Sequence, residues 1–338
     1  MRTTLPLLLT VLLLSMAAAT SQAGDEPKAP LRAGMIGLDT SHVIAFTKLF
    51  NAPGVSGDLA AIKIVAGYPG GTDIESSRTR VDRFTQQLRE MGIEIVSSIP
   101  ALLEKVDVVL LESVDGRVHL EQVRPVFAAR KPVFIDKPVA GSLADALRIY
   151  DLAKSSGTPC FSASSLRFAP AVQAARNAKV GQIAGCDAWS PCTIEQSIPD
   201  LFFYGIHGVE SLYTVMGTGC TSVTRAQTPD TDLVTGVWKD GRVGTFRGIR
   251  KNKADYGLVV FGSEAIAPAS GSFSGYEQLC QEIAKFFKTG KAPVTPEETI
   301  EIFTFMEAAE ESKRRHGAPV SLEETLARAR TAAGTKAQ

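Results

Sequence analysis

Two residues of this 338-residue sequence have side chains well suited to moving a proton. Lys137 follows the apolar run Pro132 to Ile135, which indicates a buried strand, so its ammonium should lie at the carboxyl edge of a sheet. There it can polarise a substrate oxygen or exchange a proton, unless it pairs with Asp136 or another acid. His207 lies on an otherwise apolar helical stretch, where it can be a general acid or base or a satisfied core histidine. Together they predict chemistry on a hydroxyl group, whose proton leaves through His207 or Lys137 to solvent.

The elements that position Lys137 alternate between strand and helix as far as residue 165. Apolar runs that indicate buried strands are each followed by a helical stretch, which predicts a parallel sheet covered on both faces. The predicted strands are Arg32 to Ile36, Ile62 to Gly67, Ile93 to Val96, Val106 to Leu111, Pro132 to Ile135 and Pro159 to Ser162. We therefore predict an α/β fold that begins with a Rossmann-like domain, residues 31–165.

The pattern changes after Arg167 and predicts an α+β domain over residues 166–331, with a tail over 332–338. β-like runs separated by turn signals extend from Thr221 to Ala267, with a hairpin around Asp240-Gly241. They indicate a largely antiparallel sheet flanked by helices. The predicted helices include Ser76 to Met91 in the first domain and Tyr204 to Met216, Tyr276 to Lys288 and Pro296 to Arg315 in the second.

The turn after the first predicted strand stands where a dinucleotide-binding domain holds phosphates on a helix N-terminus. The usual spacing there is G-x-G-x-x-G, and these positions hold Gly37, Asp39 and His42. Thr40 and Ser41 can cap the helix or bind a phosphate. The Asp39 carboxylate opposes a phosphate unless it turns away, is neutralised by a neighbour such as His42, or is protonated. We expect either a tightly bound, enclosed nucleotide, with Asp39 capping the helix or touching a ribose hydroxyl, or an empty site.

Several spaced motifs resemble the Gfo/Idh/MocA family, which is named for glucose–fructose oxidoreductase, inositol dehydrogenase and a rhizopine catabolism protein. Asp136-Lys137-Pro138 resembles its Glu-Lys-Pro signature, and His119 stands at the distance of its helix-start histidine. The second half of the chain adds further matches. They are Arg167-Phe-Ala-Pro170, similar to Arg-Phe-x-Pro, Gly205-Ile-His207-Gly-Val-Glu210, similar to Gly-x-His-x-x-Asp, and Ala308-Ala-Glu-Glu-Ser312, similar to Ala-x-x-x-Ser.

The resemblance implies hydride transfer between NAD or NADP and a sugar or cyclitol carbon that bears a hydroxyl group. Lys137 and His207 would then be catalytic and lie beside that hydroxyl. It also implies an open-faced sheet in the second domain that carries a sugar-like substrate and can build a homo-oligomer. We assign cofactor binding to Gly37, Asp39, Thr40, Ser41, His42, His119 and Asp136, and substrate binding to Arg167 and Tyr204.

The chain also departs from the family pattern. The acid that usually follows the second strand is missing, and Asp73 comes slightly late. Phe203 stands where the family has an aspartate four residues before its histidine, and Tyr204 can replace that aspartate as the partner of His207. Arg167 can bind substrate or pair across the domain junction.

Bulk composition and the N-terminus indicate an exported protein with a small-molecule partner. Lys plus Arg and Asp plus Glu both number 36, so no excess charge points to nucleic acid. An apolar run from Leu5 to Leu14 and the small residues after it predict a signal peptide, residues 1–23, cleaved after Ala23. A retained membrane anchor is the alternative. A linker, residues 24–30, follows, and after processing we expect a periplasmic or extracellular protein without a membrane span.

The cysteines and histidines give no metal-ligand spacing. Of the five cysteines, Cys186 and Cys192 flank a predicted strand and can form a disulfide in an oxidising compartment. The four histidines are scattered, so no metal site is predicted. The leading hypothesis is an NAD(P)-dependent oxidoreductase. The alternatives are a non-redox lyase or hydratase acting on a keto-sugar and a sugar-binding protein that has lost catalysis.

Overall fold

A parallel six-stranded sheet organises the first half of the protein. The computed structural model describes residues 29–271 and 273–334, so the predicted signal peptide and most of the linker lie outside the described residues. The strand order is β3-β2-β1-β4-β5-β6. The strands are β1 (Leu31–Ile36), β2 (Ile62–Tyr68), β3 (Glu94–Ile95), β4 (Val108–Leu111), β5 (Val133–Asp136) and β6 (Cys160–Ala163).

Helices cover this sheet and bury three of its strands completely. Every residue of β4, β5 and β6 is buried, as expected for parallel strands with both faces covered. The helices are α1 (His42–Phe50), α2 (Glu75–Arg78), α3 (Val81–Glu90), α4 (Ile99–Leu103), α5 (His119–Ala128) and α6 (Leu143–Ser156). The strand order reverses between β1 and β4, and such a switch point is where doubly wound folds bind ligands. The predicted Rossmann-like domain is confirmed.

A seven-stranded mixed sheet organises the second half, in the order β12-β11-β7-β10-β9-β8-β13. Among the strand pairs described for this second sheet, only β7–β10 is parallel, and the predicted hairpin at Asp240-Gly241 joins β9 to β10. Alternate residues of β9 are buried, while Val237 and Val243 are exposed, so one face stays open. The strands are β7 (Ile183–Pro191), β8 (Cys220–Thr228), β9 (Thr231–Trp238), β10 (Val243–Ile249), β11 (Gly257–Gly262), β12 (Ile266–Ser270) and β13 (Val320–Ser321).

One helix of the second half returns to the first sheet. It is α9, whose apolar face packs among the aromatic residues behind β5 and β6, with the rings of Phe286 and Phe161 4.8 Å apart. The other helices pack on the second sheet or at the junction. The helices of this half are α7 (Pro170–Arg176), α8 (Ile206–Met216), α9 (Glu277–Thr289), α10 (Pro296–Arg314) and α11 (Leu322–Ala333), and a π-helical turn, Leu201–Gly205, leads into α8.

The structure corrects the sequence-based elements in two places. The helix predicted over Ser76 to Met91 is two helices, α2 and α3, because the first ends in a turn where the amide of Arg80 bonds the carbonyl of Ser77. The tail predicted from residue 332 begins too early, because α11 continues to Ala333. The hydroxyl of Ser321 accepts the amide of Glu324 at 3.3 Å and caps the start of α11.

Two further observations concern the export prediction. All five cysteines are buried free thiols, including Cys186 and Cys192, so the structure does not contain the disulfide that the sequence left open. Among residues 29–271 and 273–334, the helices are too short or too polar to span a bilayer.

Candidate active site

The turn between β1 and α1 has the backbone shape that a phosphate-binding turn needs. Gly37 has φ +84°, and a Cβ there would lie 2.1 Å from Oγ of Ser113, so only glycine fits. The amides at the start of α1 have no intrahelical partner, as at any helix N-terminus. Ser41 makes no side-chain cap, and Oγ1 of Thr40 is a long 3.5 Å from the amide of His42.

The carboxylate of Asp39 is turned into the protein and is fully buried. It accepts the Ser77 hydroxyl at 2.7 Å and the Val114 amide at 2.9 Å. Burial raises the pKa of Asp39, while these two hydrogen bonds oppose the rise. The carboxylate therefore does not cap the helix as expected but ties α2 and the loop after β4 to the turn, while the alternative ribose contact stays a prediction. The condition that Asp39 turns away is met, so its charge does not face the helix N-terminus.

His42 stands at the third glycine position of the usual G-x-G-x-x-G spacing. Its side chain lies between two acids at the switch point. Its Nδ1 is 2.8 Å from Oδ2 of Asp136, at the end of β5, and 3.7 Å from Oε2 of Glu112, which follows β4. All three side chains are buried, and the His42 ring contacts Phe46 and Tyr276. His42, which the sequence offered as a neighbour that could neutralise Asp39, instead faces the carboxylates of Asp136 and Glu112.

The charges of this group are strongly coupled. Burial opposes an imidazolium, but the negative charges of Asp136 and Glu112 outweigh it and raise the pKa of His42 to about 9. Burial raises the pKa of Glu112 to about 7. Burial also opposes ionisation of Asp136, yet the adjacent His42 lowers the pKa of that carboxyl. The sequence predicted no metal-ligating cluster, but tertiary folding brings a histidine and two acids together here.

Lys137, directly after β5, has its side chain free for a ligand. Only 9% of the residue is exposed, and its Nζ lies 5.9 Å from the centroid of the Tyr204 ring. The nearest acids, Glu112 and Asp136, face His42, and the described residues show no ion pair of Lys137. The simple ion pair that we considered for Lys137 is therefore not what the structure contains.

His207 is buried on α8 with one ring nitrogen occupied. Its Nδ1 lies 2.7 Å from Oγ of Ser164, and its ring meets that of Tyr204 edge-on at 4.9 Å. The Tyr204 hydroxyl pairs with that of Tyr256 at 3.1 Å, so the predicted partnership of Tyr204 with His207 is wrong. Ser164 takes the place of the missing family aspartate. Burial and the nearby ammonium of Lys137 hold the pKa of His207 well below its ordinary value, which keeps the ring neutral.

Arg167 forms a buried ion-pair cluster at the domain junction. Its Nε lies 2.7 Å from Glu210 on α8, and its Nη1 lies 2.7 Å from Glu298 on α10. Glu210 also accepts the amide of Ser164 at 3.1 Å. Of the two roles considered for Arg167, these contacts show the pairing role, while Nη2 has no hydrogen-bond partner among the described residues, so the substrate-binding assignment stays a prediction. The cluster fixes the segment that presents Ser164 to His207.

His119 orients loops rather than facing a ligand. It is fully buried at the start of α5, with Nε2 2.8 Å from the Ser113 carbonyl and Nδ1 3.3 Å from the Val139 carbonyl. Burial lowers the pKa of His119, so the ring is neutral and can donate its single N–H to only one of these two carbonyls. Both ring nitrogens thus face backbone carbonyls of the loops after β4 and β5, so the assignment of His119 to cofactor binding finds no support in these contacts.

The turn after β1 and the first amides of α1 fit the phosphates of a nicotinamide dinucleotide. Gly37 leaves room for close backbone approach, the amides of the helix are available, and the Asp39 charge is withdrawn. Recognition of the adenosine ribose lacks its usual acid, because β2 ends in Tyr68-Pro69 and Asp73 is held by Arg117 at 2.6 Å. The residues that would hold the nucleotide are thus Gly37, Thr40 and Ser41.

Sequence reasoning missed two residues of this site, Glu112 and Ser164. The position of Glu112 could have been predicted from the sequence. Glu112 is the first residue after a completely apolar strand, which ends at the same sheet edge as β1 and β5. Ser164 carried none, since its role depends on the approach of α8 from the second domain.

Comparison with known proteins agrees with the fold. The family described as "Oxidoreductase family, NAD-binding Rossmann fold", GFO_IDH_MocA, matches residues 74–164. No curated protein matches the sequence. Similar solved structures include a probable dehydrogenase from Thermotoga maritima, with 22% identity and a TM-score of 0.70 over 87% of this chain and 100% of that one.

Two other structures of similar fold are inositol dehydrogenases. The myo-inositol 2-dehydrogenase from Lactobacillus plantarum has 17% identity and a TM-score of 0.70, covering 86% of this chain and 99% of its own. The scyllo-inositol dehydrogenase from Lactobacillus casei, solved with NAD(H) and scyllo-inositol, has 13% identity and a TM-score of 0.70, covering 87% and 99%. At such identities these structures show the fold. The family match confirms the resemblance of residues 74–164 to the Gfo/Idh/MocA oxidoreductases, and with it the predicted enzyme class and nicotinamide dinucleotide cofactor.

Proposed function

We propose that the protein transfers a hydride between NAD(P) and a hydroxyl-bearing carbon of a sugar or sugar derivative, with Lys137 and His207 handling the hydroxyl proton. One observation supports this most directly: the unpaired ammonium of Lys137 and the neutral ring of His207 both contact the ring of Tyr204. A cation and a base at the same place can bind a hydroxyl oxygen and remove its proton.

The chemistry of the protein's own residues follows from these contacts. When bound, the nicotinamide ring accepts or supplies the hydride. Lys137 donates a hydrogen bond to the substrate oxygen and stabilises the negative charge that develops on it. His207 accepts the proton at Nε2 while Nδ1 stays on Ser164, whose hydroxyl can donate to or accept from this nitrogen. The proton then passes to solvent, because a cationic ring beside Lys137 is disfavoured.

The substrate class rests on the shared fold. A scyllo-inositol dehydrogenase of this fold was solved with NAD(H) and scyllo-inositol, a ring that bears several hydroxyl groups. The ion pairs of Arg167 with Glu210 and Glu298 leave Lys137, His207, Tyr204 and Tyr256 as the candidate polar contacts for a ligand. Hydroxyl and amine groups of this kind suit a neutral polyol.

Turnover of purified protein tests the proposal. Reduction of NAD and NADP is followed with a panel of sugars and cyclitols, using wild type, Lys137→Met and His207→Asn. We expect each variant to lose at least about 100-fold in kcat, as removal of a general acid–base group does. Lys154→Met, an exposed lysine on α6, is the matched control and should keep full activity. Near-normal turnover in either site variant would reject the role of that residue.

Tight nucleotide binding is the second part of the proposal. It is supported by the phosphate cradle at Gly37 and by the predicted export, since a compartment outside the cytoplasm offers little free cofactor. Mass spectrometry of the supernatant after denaturation should find NAD or NADP. The sugar-binding alternative replaces this proposal if no nucleotide is released and none binds at about millimolar concentration, where even a ligand with a Kd of about 1 mM would be detected.

Export and oligomer formation complete the proposal. Residues 1–23 have the composition of a signal peptide, and N-terminal sequencing of protein from its native host should begin near Gly24. A chain that begins at Met1 would contradict it.

The open face of the second sheet exposes Val237 and Val243, which suits contact with a second copy. Light scattering should show a homo-oligomer that Val243→Glu dissociates, and a wild-type monomer would exclude it.

A further inference from the structure

His42, Glu112 and Asp136 form a group of three potential metal ligands at the switch point of the first sheet. Their ligating atoms all lie within 4.8 Å of one another. They come from three different elements, namely the start of α1, the loop after β4 and the end of β5. The group is therefore assembled by the strand order and is held by the rigid centre of the domain.

Four polar atoms of this group lack hydrogen-bond partners among the described residues, although they are buried. Both carboxylate oxygens of Glu112, which is 0% exposed, have none among the described residues, and neither does Oδ1 of Asp136. Nδ1 of His42 lies 2.8 Å from Asp136 but is not aligned with it for a hydrogen bond. A buried carboxylate without a partner costs free energy, so such a group needs a ligand that interacts with all three side chains at once.

The spacing of the donor atoms suits a metal ion. Metal–nitrogen and metal–oxygen bonds of about 2.1 Å in tetrahedral or octahedral geometry separate neighbouring donors by about 3.0–3.4 Å. The distances of 2.8 Å and 3.7 Å from Nδ1 of His42 to the two carboxylates bracket that range. A proton on His42 would satisfy at most one of the acids, whereas a dication neutralises both carboxylates and uses the imidazole lone pair.

We propose that His42, Glu112 and Asp136 bind a single divalent transition-metal ion, of the class of Zn²⁺, Mn²⁺ or Co²⁺. One imidazole and two carboxylates form a donor set that suits these ions rather than Cu(I), which prefers sulfur ligands. Three protein ligands leave at least one coordination position open for water or for an oxygen of a ligand. The site does not depend on the proposed hydride transfer, because it requires neither nucleotide nor substrate.

Direct metal binding tests the site. The mature protein is stripped with a chelator, desalted and titrated calorimetrically with Zn²⁺, Mn²⁺ or Co²⁺ as chloride salts. We expect one ion per chain, with the affinity reduced at least about 100-fold in Glu112→Gln and in Asp136→Asn, each of which keeps the side-chain shape but weakens a ligand. His316→Ala removes an exposed histidine far from the group in sequence and is the matched control for surface binding, so it should leave the affinity unchanged.

Two further readouts keep the test decisive if a variant fails to fold. The wild-type thermal midpoint should rise on addition of metal, because an ion that binds only the folded state stabilises it. The Co²⁺ form should show visible d–d absorption without a thiolate charge-transfer band, because the proposed ligands are one imidazole and two carboxylates. Absence of binding at about 0.1 mM metal, or equal affinity in wild type and a folded Glu112→Gln variant, would overturn the proposal.

Discussion

Replacement of Ser164 by alanine tests whether His207 depends on its partner on the other domain. Oγ of Ser164 lies 2.7 Å from Nδ1 of His207 and 3.2 Å from the amide of Leu166. Alanine leaves the buried imidazole nitrogen without a partner, a loss of about 1–3 kcal/mol. If the whole loss falls on the transition state, kcat drops by a factor of about 5–150, since about 1.4 kcal/mol is tenfold. Because Ser164 acts through His207, we expect KM to change little.

Ser211→Ala is the matched control for this substitution. Ser211 is also buried and also contacts His207, but its hydroxyl donates to the backbone carbonyl of that residue at 3.1 Å, not to the ring. Both variants lose one hydroxyl, so their thermal midpoints should fall by similar small amounts, while only Ser164→Ala should lose turnover. Steady-state kinetics on the substrate identified by the panel gives the comparison. A Ser164→Ala kcat within twofold of wild type, or an equal loss in Ser211→Ala, would refute the reasoning.

Three further predictions follow from other contacts. Asp39→Gly restores a fingerprint glycine but should lower the thermal midpoint without tightening NAD(P) binding, because the carboxylate bonds Ser77 inside the protein; a tenfold gain in affinity by titration would contradict this. Arg225→Met should reduce the free energy of unfolding by about 3–5 kcal/mol in denaturant melts, because its fully buried guanidinium joins three acids, whereas Arg242→Met, at a partly exposed arginine that pairs with the exposed Asp240, should change it little. Burial keeps the folded-state pKa of His207 well below its ordinary 6.5, so unfolding takes up a proton in mild acid and stability should decline as pH falls below 6.5. The slope between about pH 7 and 5 should be shallower in His207→Asn, and identical slopes would count against this assignment.

The local pattern of apolar and polar residues was sufficient to predict the architecture of the first half of the chain. Apolar runs of strand length, each followed by a helical stretch, predicted the parallel sheet, and β4, β5 and β6 are buried throughout. The position of Lys137 followed from the same pattern, because a residue directly after a buried parallel strand must lie at the carboxyl edge. Such features depend on neighbours in sequence, so the sequence alone could specify them. The weakly patterned α11 was missed because it alternates charged and small residues.

Tertiary structure decided which side chains meet. The carboxylate of Asp39 points to Ser77 and Val114 because α2 and the loop after β4 offer donors on the inner side of the turn. His42 and Asp136 are far apart in the chain and meet only because β1 and β5 both flank β4. No periodicity encodes such a meeting, since it depends on strand order and on the directions of the side chains.

The same reason explains the partner of His207. The sequence showed that the family aspartate was replaced by Phe203 and suggested Tyr204, the nearest polar neighbour on the same helix. The structure instead supplies Ser164, from the end of the first domain, because the ion pair of Arg167 with Glu210 clamps that segment against α8. The sequence by itself determined the fold class and singled out the two residues that we propose handle the proton. Only the packing of one domain on the other decided what holds those residues in place, because contacts between distant segments leave no local signal.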